Sequence, residues 1–221
     1  MGWQRGKQYI AVAGLVSLFV LALHTAPTPL AAEQAPPPEA KSLGVLAPFL
    51  LYGPDPDGPW IGETDGNGYR LINPDDPDPI TYFYVESPPD ELGRRTIEVK
   101  TVMLQGDGRA GLLYGLEQNP KEYFLLVVNA AGRVQVLHRT PNDGIVEAMS
   151  ANLQRDDGQA AGPAVLTLRI VESGDTAEVF VNDTKIGGLQ GPAVGRGGVG
   201  IGAAGIVDTL FLDFKVKAAG S

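Results

Sequence analysis

The sequence predicts an all-β protein that folds as an antiparallel jelly-roll β-sandwich. Apolar and polar residues alternate at period two over several segments, which is the pattern of strands with one buried face. Short strand-like segments follow one another and are separated by Gly, Asn and Asp turns, as in sandwich domains. No helical stripe of apolar residues follows the N-terminal apolar run. The length of 221 residues suits one such domain with N-terminal extensions.

The N-terminal part of the chain is expected to precede the folded domain. Arg5 and Lys7 come before an apolar run at 9–23, and small residues follow it. This pattern predicts a secretory signal peptide over 1–32, because the run is shorter than the roughly 20 residues that cross a bilayer. Proline-rich residues 33–56 predict an extended spacer. We therefore expect a periplasmic or extracellular protein, with membrane contact only if the signal peptide is not cleaved.

The sandwich itself is expected over residues 57–217, with a tail at 218–221 and regular strands from about residue 92. Residues 123–128 are apolar throughout, which predicts a central strand covered on both faces. Three other segments alternate apolar and polar residues. The residues expected on their inward faces are Ile97, Val99, Met103, Leu166, Leu168, Ile170, Leu210, Leu212, Phe214 and Val216.

Turn residues and glycine separate these strands. Residues 129–132 and 172–175 predict hairpin loops, and Asn182-Asp183 predicts a two-residue turn. Gly111 in an apolar strand predicts the close approach of another backbone or a bend in the sheet. Residues 191–205 contain seven glycines and predict a flat, closely packed strand with its turns. A phosphate-binding loop is excluded there because no helix follows.

The composition excludes several functions. The chain has no cysteine and two histidines, which excludes disulfide scaffolds, cysteine zinc sites, thiol catalysis and multi-histidine metal sites. The net charge is −9, and the ten acids and one base between residues 55 and 91 account for all of it. Such a surface repels phosphate backbones, so nucleic acid is not an expected partner.

Several short phrases of the sequence follow one another in an informative order. They are residues 110–114, 122–127, 132–136, 166–170, 177–183, 197–202 and 211–214. Their order resembles bacterial concanavalin A-like lectin/glucanase domains, the laminin-G-like jelly rolls that include the 3-keto-disaccharide hydrolase group. The resemblance covers residues 57–217 and implies a secreted jelly roll that binds or hydrolyses carbohydrate. Asp183 departs from the glycine usual there, and residues 109–112 depart from the Asn-Ser-Gly-Ile of the hydrolase group.

The catalytic signature of such glucanases is incomplete here. They place Glu-x-Asp-x-Glu on one strand, since period-two spacing points all three side chains to one face. Glu63 and Asp65 are followed by Asn67 in place of the third acid, so we predict no catalytic residue. The alternative is a glycosidase-like hydrolase of a (3-keto) disaccharide. It requires two carboxylates, or one carboxylate beside His138, in a single cleft.

Carbohydrate recognition needs aromatic ring faces and planar polar groups on an open sheet. Tyr82 and Tyr84 are two residues apart and are expected to share a strand face, with Phe83 opposite. The residues predicted to bind a ligand are Trp60, Tyr82, Tyr84, Tyr114, Tyr123, His138 and Arg139. The alternative is that the aromatic residues pack the core and its edges and that His138 is an ordinary strand-end residue.

Acidic turns near the start of the domain predict a calcium site. Asp55, Asp57, Asp65 and Asn67 supply hard oxygen ligands on turns, and the alternative is that they are solvated turn residues. No other cofactor is predicted. The sequence thus predicts an exported, non-catalytic module that recognises carbohydrate or another cell-envelope component. A structural or protein-interaction module is a further alternative.

Overall fold

The computed structural model describes residues 58–65, 68–86, 91–153 and 165–218. Thirteen β-strands account for most of these residues, and none of the residues lies in an α-helix, which confirms the all-β prediction. The strands are β1 (Ile61–Asp65), β2 (Gly68–Asn73), β3 (Ile80–Val85), β4 (Arg95–Gln105), β5 (Arg109–Gln118), β6 (Lys121–Asn129), β7 (Arg133–Thr140), β8 (Gly144–Asn152), β9 (Val165–Ser173), β10 (Thr176–Val181), β11 (Thr184–Gln190), β12 (Gly198–Ala204) and β13 (Val207–Ala218). In the part of the chain that is described, no helix is long and apolar enough to span a bilayer. The predicted signal peptide and spacer lie outside the described residues.

The strands form two antiparallel sheets. The seven-stranded sheet has the order β1-β2-β13-β4-β9-β10-β11, and the six-stranded sheet has the order β3-β12-β5-β6-β7-β8. The sheets pack face to face, and the side chains between them form one hydrophobic core. The chain crosses between the sheets several times, so that β13 lies between β2 and β4 inside the larger sheet. This arrangement confirms the predicted antiparallel jelly-roll sandwich.

Alternation along the strands places apolar side chains in this core. Leu112, Leu126 and Val136 stand opposite one another on β5, β6 and β7 and are buried. The seven-stranded sheet contributes Ile97 and Leu168, both predicted to face inward. A side chain of this size contributes about 1.5–3 kcal/mol when fully buried, so rows of this kind hold the two sheets together.

Three local predictions are confirmed. Strand β6 lies between β5 and β7 and is buried at every position from 122 to 128. Asn182 and Asp183 have φ values of 47° and 65°, the two positive angles of a type I′ hairpin turn. Gly111 lies so close to the carbonyl oxygen of Leu126 that a Cβ at this position would overlap it.

The predicted inward face of β13 is wrong in its first half. Asp213 has a φ of 52°, and the pairing of β13 with β4 is irregular between Leu212 and Lys215. This bulge adds a residue to one strand and reverses the alternation. Phe211 and Phe214 are therefore both buried in the core, whereas Leu212 and its period-two partner Leu210 lie on the opposite face.

The expectation that regular strands begin at about residue 92 is also wrong. Strands β1, β2 and β3 lie within residues 61–85, and β2 pairs with β13 inside the larger sheet. The acidic and proline-rich stretch between β2 and β3 is a connection that Asn73 organises. Its side-chain amide donates to the carbonyl oxygen of Asp76 at 2.6 Å and to that of Gly205 at 3.0 Å. Short strands joined by such turns give a weak periodic pattern in the sequence.

A buried ion pair fastens one end of the sandwich. The side chains of Arg95 on β4 and Glu172 on β9 are both 0% exposed, and Nη2 lies 2.5 Å from Oε1. The backbone N–H of Arg95 also donates to Oε2 of Glu172 at 2.8 Å. The same guanidinium donates to the carbonyl oxygens of Gly197 at 2.9 Å and Arg196 at 3.1 Å. The pair therefore ties two strands to the loop before β12.

Candidate functional site

The outer face of the six-stranded sheet is the surface that can present a site. Leu113, Leu125 and Leu137 stand opposite one another on β5, β6 and β7. Their chain neighbours Leu112 and Leu126 point into the inter-sheet core, so these three leucines face outward. The outer face consists of two parts: a polar patch and an apolar cluster.

The polar patch comprises Arg109, Arg133, Gln135, Glu147 and Ser150. Arg109 Nη1 donates to Gln135 Oε1 at 3.0 Å, and Gln135 Nε2 donates to Glu147 Oε2 at 2.5 Å. Arg133 Nη2 donates to the same Glu147 oxygen at 3.1 Å. Side chains from three strands thus form one continuous hydrogen-bonded network that remains accessible to solvent.

A bulge in β8 completes this patch. Gln135 pairs with Ser150 and Leu137 with Glu147, and the register shifts between the two pairs. Glu147 and Ser150 therefore share the outer face although three positions separate them, which strict period-two alternation forbids. Hydrogen bonds from Ser150, then from Gln135, and the charge of Arg133 lower the pKa of Glu147 below its ordinary value. The carboxylate is therefore ionised at neutral pH.

These groups suit a hydroxyl-rich ligand. Guanidinium, amide and carboxylate groups are planar and present paired donors or acceptors. Two neighbouring hydroxyls of a sugar can each donate to an acceptor and accept from a donor, which such a row supplies. The patch holds two guanidinium groups and one carboxylate, so its local charge is positive, in contrast to the net charge of the chain.

The apolar cluster comprises Leu113, Leu116, Tyr123, Leu125, Val127 and Leu137, with Ile80 and Tyr82 packed against it. The rings of Tyr82 and Tyr123 are 5.3 Å apart, and Lys121 Nζ lies 5.1 Å from the centre of the Tyr82 ring. The glycines of β12 make room for these side chains. A Cβ at Gly202 would lie 2.7 Å from Leu125 Cδ2. This confirms the prediction that the glycine-rich strand is closely packed.

Four of the predicted ligand-binding residues lie on this sheet face. Tyr82 and Tyr84 share it while Phe83 enters the core, as their spacing predicts. Tyr84 is 36% exposed, and its hydroxyl accepts a hydrogen bond from Gln118 Nε2 at 3.2 Å. Tyr123 and Arg139 are opposite one another, and Tyr123 is buried within the apolar cluster.

The other three predicted ligand-binding residues point between the sheets. Trp60 is 8% exposed and Tyr114 0%, and the Tyr114 hydroxyl accepts from the backbone N–H of Gly195 at 2.7 Å. Burial, together with the nearby charge of Glu172, raises the pKa of Tyr114 above its ordinary value. His138 stacks on Phe124 with ring centres 4.1 Å apart. None of the three belongs to the polar patch, because cross-strand register places Tyr114 and His138 in one inward row with Phe124.

His138 also has a carboxylate partner. Its Nε2 lies 2.9 Å from Glu122 Oε1, and the two side chains are 18% and 10% exposed. The contact is the carboxylate–histidine pair that the hydrolase alternative requires, but it lies on the inner side of the sheet. Within the described residues the polar patch contains one carboxylate, Glu147, whereas glycoside hydrolysis uses two.

The predicted calcium ligands stay a prediction. Asp65 is exposed at the end of β1, and Asp55, Asp57 and Asn67 lie outside the described residues. Across the ranges that the structure describes, no three histidine or acidic side chains come together as a metal ion requires.

The seven-stranded sheet and the surface between β10 and β11 present fewer features of a binding site than the polar patch does. On the seven-stranded sheet, Arg70 lies 2.9 Å from Glu63 and 2.7 Å from Asp208, and Lys100 Nζ lies 2.6 Å from Asp213. The pairs of Arg70 with Glu63 and of Lys100 with Asp213 are more exposed and contribute little, as is typical of a solvated face. The pair of Arg70 with Asp208 is partly buried and joins β2 to β13. An open depression lies between β10 and β11, and none of the predicted ligand-binding residues lines it.

Sequence reasoning missed the whole polar patch. Arg133 and Gln135 are two residues apart, and this spacing alone indicates a shared polar face. Nothing in the sequence indicates that Arg109 lies beside Gln135, because β6 separates their strands along the chain. The sequence also gives no sign of the bulge in β8 that places Ser150 on the outer face.

Comparison with known proteins identifies the fold. No family model matches the sequence, and no curated protein is significantly similar to it. The solved structure of carbohydrate-binding module CBM66 from Bacillus subtilis is similar to it at a TM-score of 0.53 and 14% identity, over 73% of this chain and 92% of that one. A Bacillus subtilis protein of unknown function with a galectin-like fold is similar at a TM-score of 0.54 and 13% identity, over 73% of this chain and 87% of that one.

The fold is a galectin-like β-sandwich. A functionally unknown protein from Saccharomyces cerevisiae has the same similarity, with a TM-score of 0.52 and 12% identity over 76% of this chain and 95% of that one. At these identities the similarity shows the fold alone. This fold agrees with the jelly-roll fold that the family resemblance in the sequence implies.

Proposed function

We propose that this protein is an exported, non-catalytic module that binds carbohydrate through the polar patch. The observation that carries the proposal is the continuous network from Arg109 through Gln135 and Glu147 to Arg133 on the outer face. A carbohydrate-binding module of similar fold supports it. The predicted signal peptide and spacer support export and a ligand in the cell envelope or outside the cell.

The network is already organised for binding. Gln135 is fixed at both ends, since its amide oxygen accepts from Arg109 and its amide nitrogen donates to Glu147. The Arg133 backbone N–H donates to Asn129 Oδ1 at 2.9 Å, which fixes the start of β7. A ligand that meets pre-oriented side chains loses less conformational entropy on binding. Arg109 contacts no carboxylate among the described residues, so its charge suits an acidic sugar as well as a hydroxyl pair.

A glycan array probed with the full chain tests the proposal. The array includes neutral and uronic-acid glycans, each with and without calcium, and hits are measured again by calorimetry. A hydrogen bond to a charged group is worth about 1.5–3 kcal/mol, so Glu147→Gln is expected to weaken binding by about 10-fold to 100-fold. Glu178→Gln on the other sheet, where the ion pair with Lys185 is exposed, is the matched control.

Two results would overturn this function. Binding that is equally strong in Glu147→Gln and in the control would place the site elsewhere. An array without any hit would favour the structural or protein-interaction module.

The pair of Glu122 and His138 favours one second candidate, the glycosidase-like hydrolase. Its carboxylate–imidazole contact of 2.9 Å is the arrangement that orients a general base. Incubating the full chain with (3-keto) disaccharides tests it. Turnover that is lost in Glu122→Gln would establish catalysis, and absence of turnover would leave the binding module.

Calcium remains a separate proposal for Asp55, Asp57, Asp65 and Asn67. A bound ion stabilises the folded state by mass action. Melting curves with calcium and with EDTA should therefore differ if the site exists, and Asp65→Asn should abolish the difference.

A further inference from the structure

The outer face of the six-stranded sheet carries an excess of positive charge. Its described strands place four cations and one carboxylate on this face, namely Arg109, Lys121, Arg133, Arg139 and Glu147. The chain as a whole has a net charge of −9, so this face has the opposite sign. Because salt at physiological ionic strength screens charges beyond about 8 Å, a ligand on this face responds mainly to the charges of the face itself.

The seven-stranded sheet does not have such an excess at its ion pairs. Cations on its outer face lie 2.6 to 2.9 Å from carboxylate oxygens, and they are Arg70, Lys100, Arg169 and Lys185. On the six-stranded sheet, Arg133 has such a partner in Glu147, at 3.1 Å. Arg109, Lys121 and Arg139 form no ion pair with any carboxylate of the described residues. The six-stranded sheet therefore offers positive charge to a ligand.

Arg109 is the cation among these three that belongs to the polar patch. Its Nη1 donates to Gln135 Oε1 at 3.0 Å, and the same amide donates to Glu147 Oε2 at 2.5 Å. A guanidinium has five N–H donors, and the contact with Gln135 engages one of them. Arg109 can therefore keep its place in the network and still donate to a ligand.

One amide group separates the guanidinium of Arg109 from the carboxylate of Glu147. A ligand that contacts both ends of this row must offer an anion to Arg109 and hydroxyl donors to Glu147, which accepts only. A uronic acid carries a carboxylate and hydroxyls on one ring. The patch holds two guanidinium groups and one carboxylate, so a single monovalent anion balances its charge.

We propose that the polar patch selects carboxylated glycans, with Arg109 binding the uronate carboxylate and Glu147 accepting from the ring hydroxyls. This inference rests on the proposed carbohydrate-binding function and names the ligand class of that site. Hydrogen bonds between arginine and carboxylate are charge-assisted and often bidentate. Loss of the carboxylate from the ligand should therefore weaken binding about 10-fold to 100-fold.

Calorimetry of the full chain with matched pairs of ligands tests the inference. Hexasaccharides of galacturonate and of mannuronate are each compared with a carboxyl-reduced form, in which a neutral hydroxymethyl group replaces every carboxylate. The variants are Arg109→Gln and Arg109→Lys. Lys121→Gln is the matched control, because Lys121 is a cation of the same face at the other end of β6, where it lies 5.1 Å from the Tyr82 ring.

The expected result is a ratio of two affinities. The unchanged chain should bind the acidic form of at least one pair about 10-fold to 100-fold more tightly than its reduced form. Arg109→Gln should bring this ratio to about one, Arg109→Lys should keep part of it, and Lys121→Gln should leave it unchanged. The ratio compares two ligands on the same protein, so a smaller folded fraction in a variant does not alter it. Added sodium chloride should weaken binding of the acidic form by the unchanged chain and leave the reduced form unaffected.

Equal affinity for the acidic and the reduced forms in the unchanged chain would overturn the inference and leave the proposed carbohydrate binding intact. A ratio that Lys121→Gln lowers as much as Arg109→Gln would show diffuse attraction to the whole face and overturn the role of Arg109. Hits on the array that are all neutral, and that Glu147→Gln abolishes, would also overturn the inference alone. An array without any hit overturns the inference and the proposed function together.

Discussion

The substitution Glu172→Gln tests whether the buried ion pair stabilises the sandwich. The two side chains are 0% exposed, and the carboxylate of Glu172 receives hydrogen bonds from the guanidinium and from the backbone N–H of Arg95. Glutamine has nearly the same shape as glutamate and removes the negative charge. The buried guanidinium then loses the carboxylate charge of Glu172, which is the costly case for a broken buried pair.

The magnitude follows from the cost of breaking a buried pair and from the hydrogen bonds of Arg95 that the substitution leaves in place. Removing one partner of a buried pair costs about 3–5 kcal/mol. The carbonyl oxygens of Arg196 and Gly197 still accept from Arg95, so we expect the lower end of that range. For a domain of roughly 150–250 residues, each kcal/mol lowers the melting temperature by about 2–4 °C. The expected decrease is therefore about 6–12 °C.

Urea unfolding followed by circular dichroism measures this difference. Glu178→Gln on the neighbouring strand is the matched control, because its ion pair with Lys185 has side chains that are 55% and 47% exposed. An exposed pair contributes about 0–1 kcal/mol. If both variants lose the same free energy of unfolding at an unchanged denaturant slope, burial does not determine the cost and the reasoning is wrong.

Three further predictions concern the outer face and the core. Hydrogen bonds hold the pKa of Glu147 below its ordinary value, so ligand binding should persist as the pH falls through the ordinary range of glutamate and disappear only below it, as calorimetry across pH would show. Burial raises the pKa of Tyr69 to about 12, so stability should fall as the pH rises from 10 toward 12, and Tyr69→Phe should remove that part of the alkaline loss. Gly202→Ala would place a Cβ 2.7 Å from Leu125 Cδ2, whereas the nearest atom at Gly188 is 3.5 Å away. Overpacking costs about 1–3 kcal/mol, so Gly202→Ala should lower the melting temperature and Gly188→Ala should leave it nearly unchanged.

The fold was predictable because alternation records which face of a strand is buried. Ile97 and Leu168 were placed correctly, since nothing interrupts the period-two pattern of their strands. In β13 the positive φ of Asp213 accompanies a bulge that reverses the faces, and no feature of the residue types reveals it. Leu212 was therefore assigned to the wrong face.

The site was harder to predict because it depends on which strands become neighbours. Arg109 and Gln135 contact each other across β6, and a sequence without a known sheet order cannot place them together. Trp60 and Tyr114 were predicted to bind ligand from their residue type, whereas both lie in the inter-sheet core, Tyr114 because of its register opposite Phe124. The residue types indicate which side chains can bind a ligand, but the strand register is needed to show on which face of the sheet each side chain lies.

The two parts of the outer face depend on the same strands. Leu137 of the apolar cluster and Gln135 of the polar patch are two residues apart on β7, and Leu137 is opposite Glu147 on β8. Leu125 and Leu137 pack in the same apolar cluster, so this cluster holds β6 and β7 from the outer side as the inter-sheet core holds them from the inner side. Immobile strands keep Gln135 and Glu147 in place for a ligand, and pre-organisation of this kind raises affinity without adding a contact. Leu137→Ala should therefore bind carbohydrate more weakly than the unchanged chain when measured by calorimetry, although it changes no residue of the polar patch.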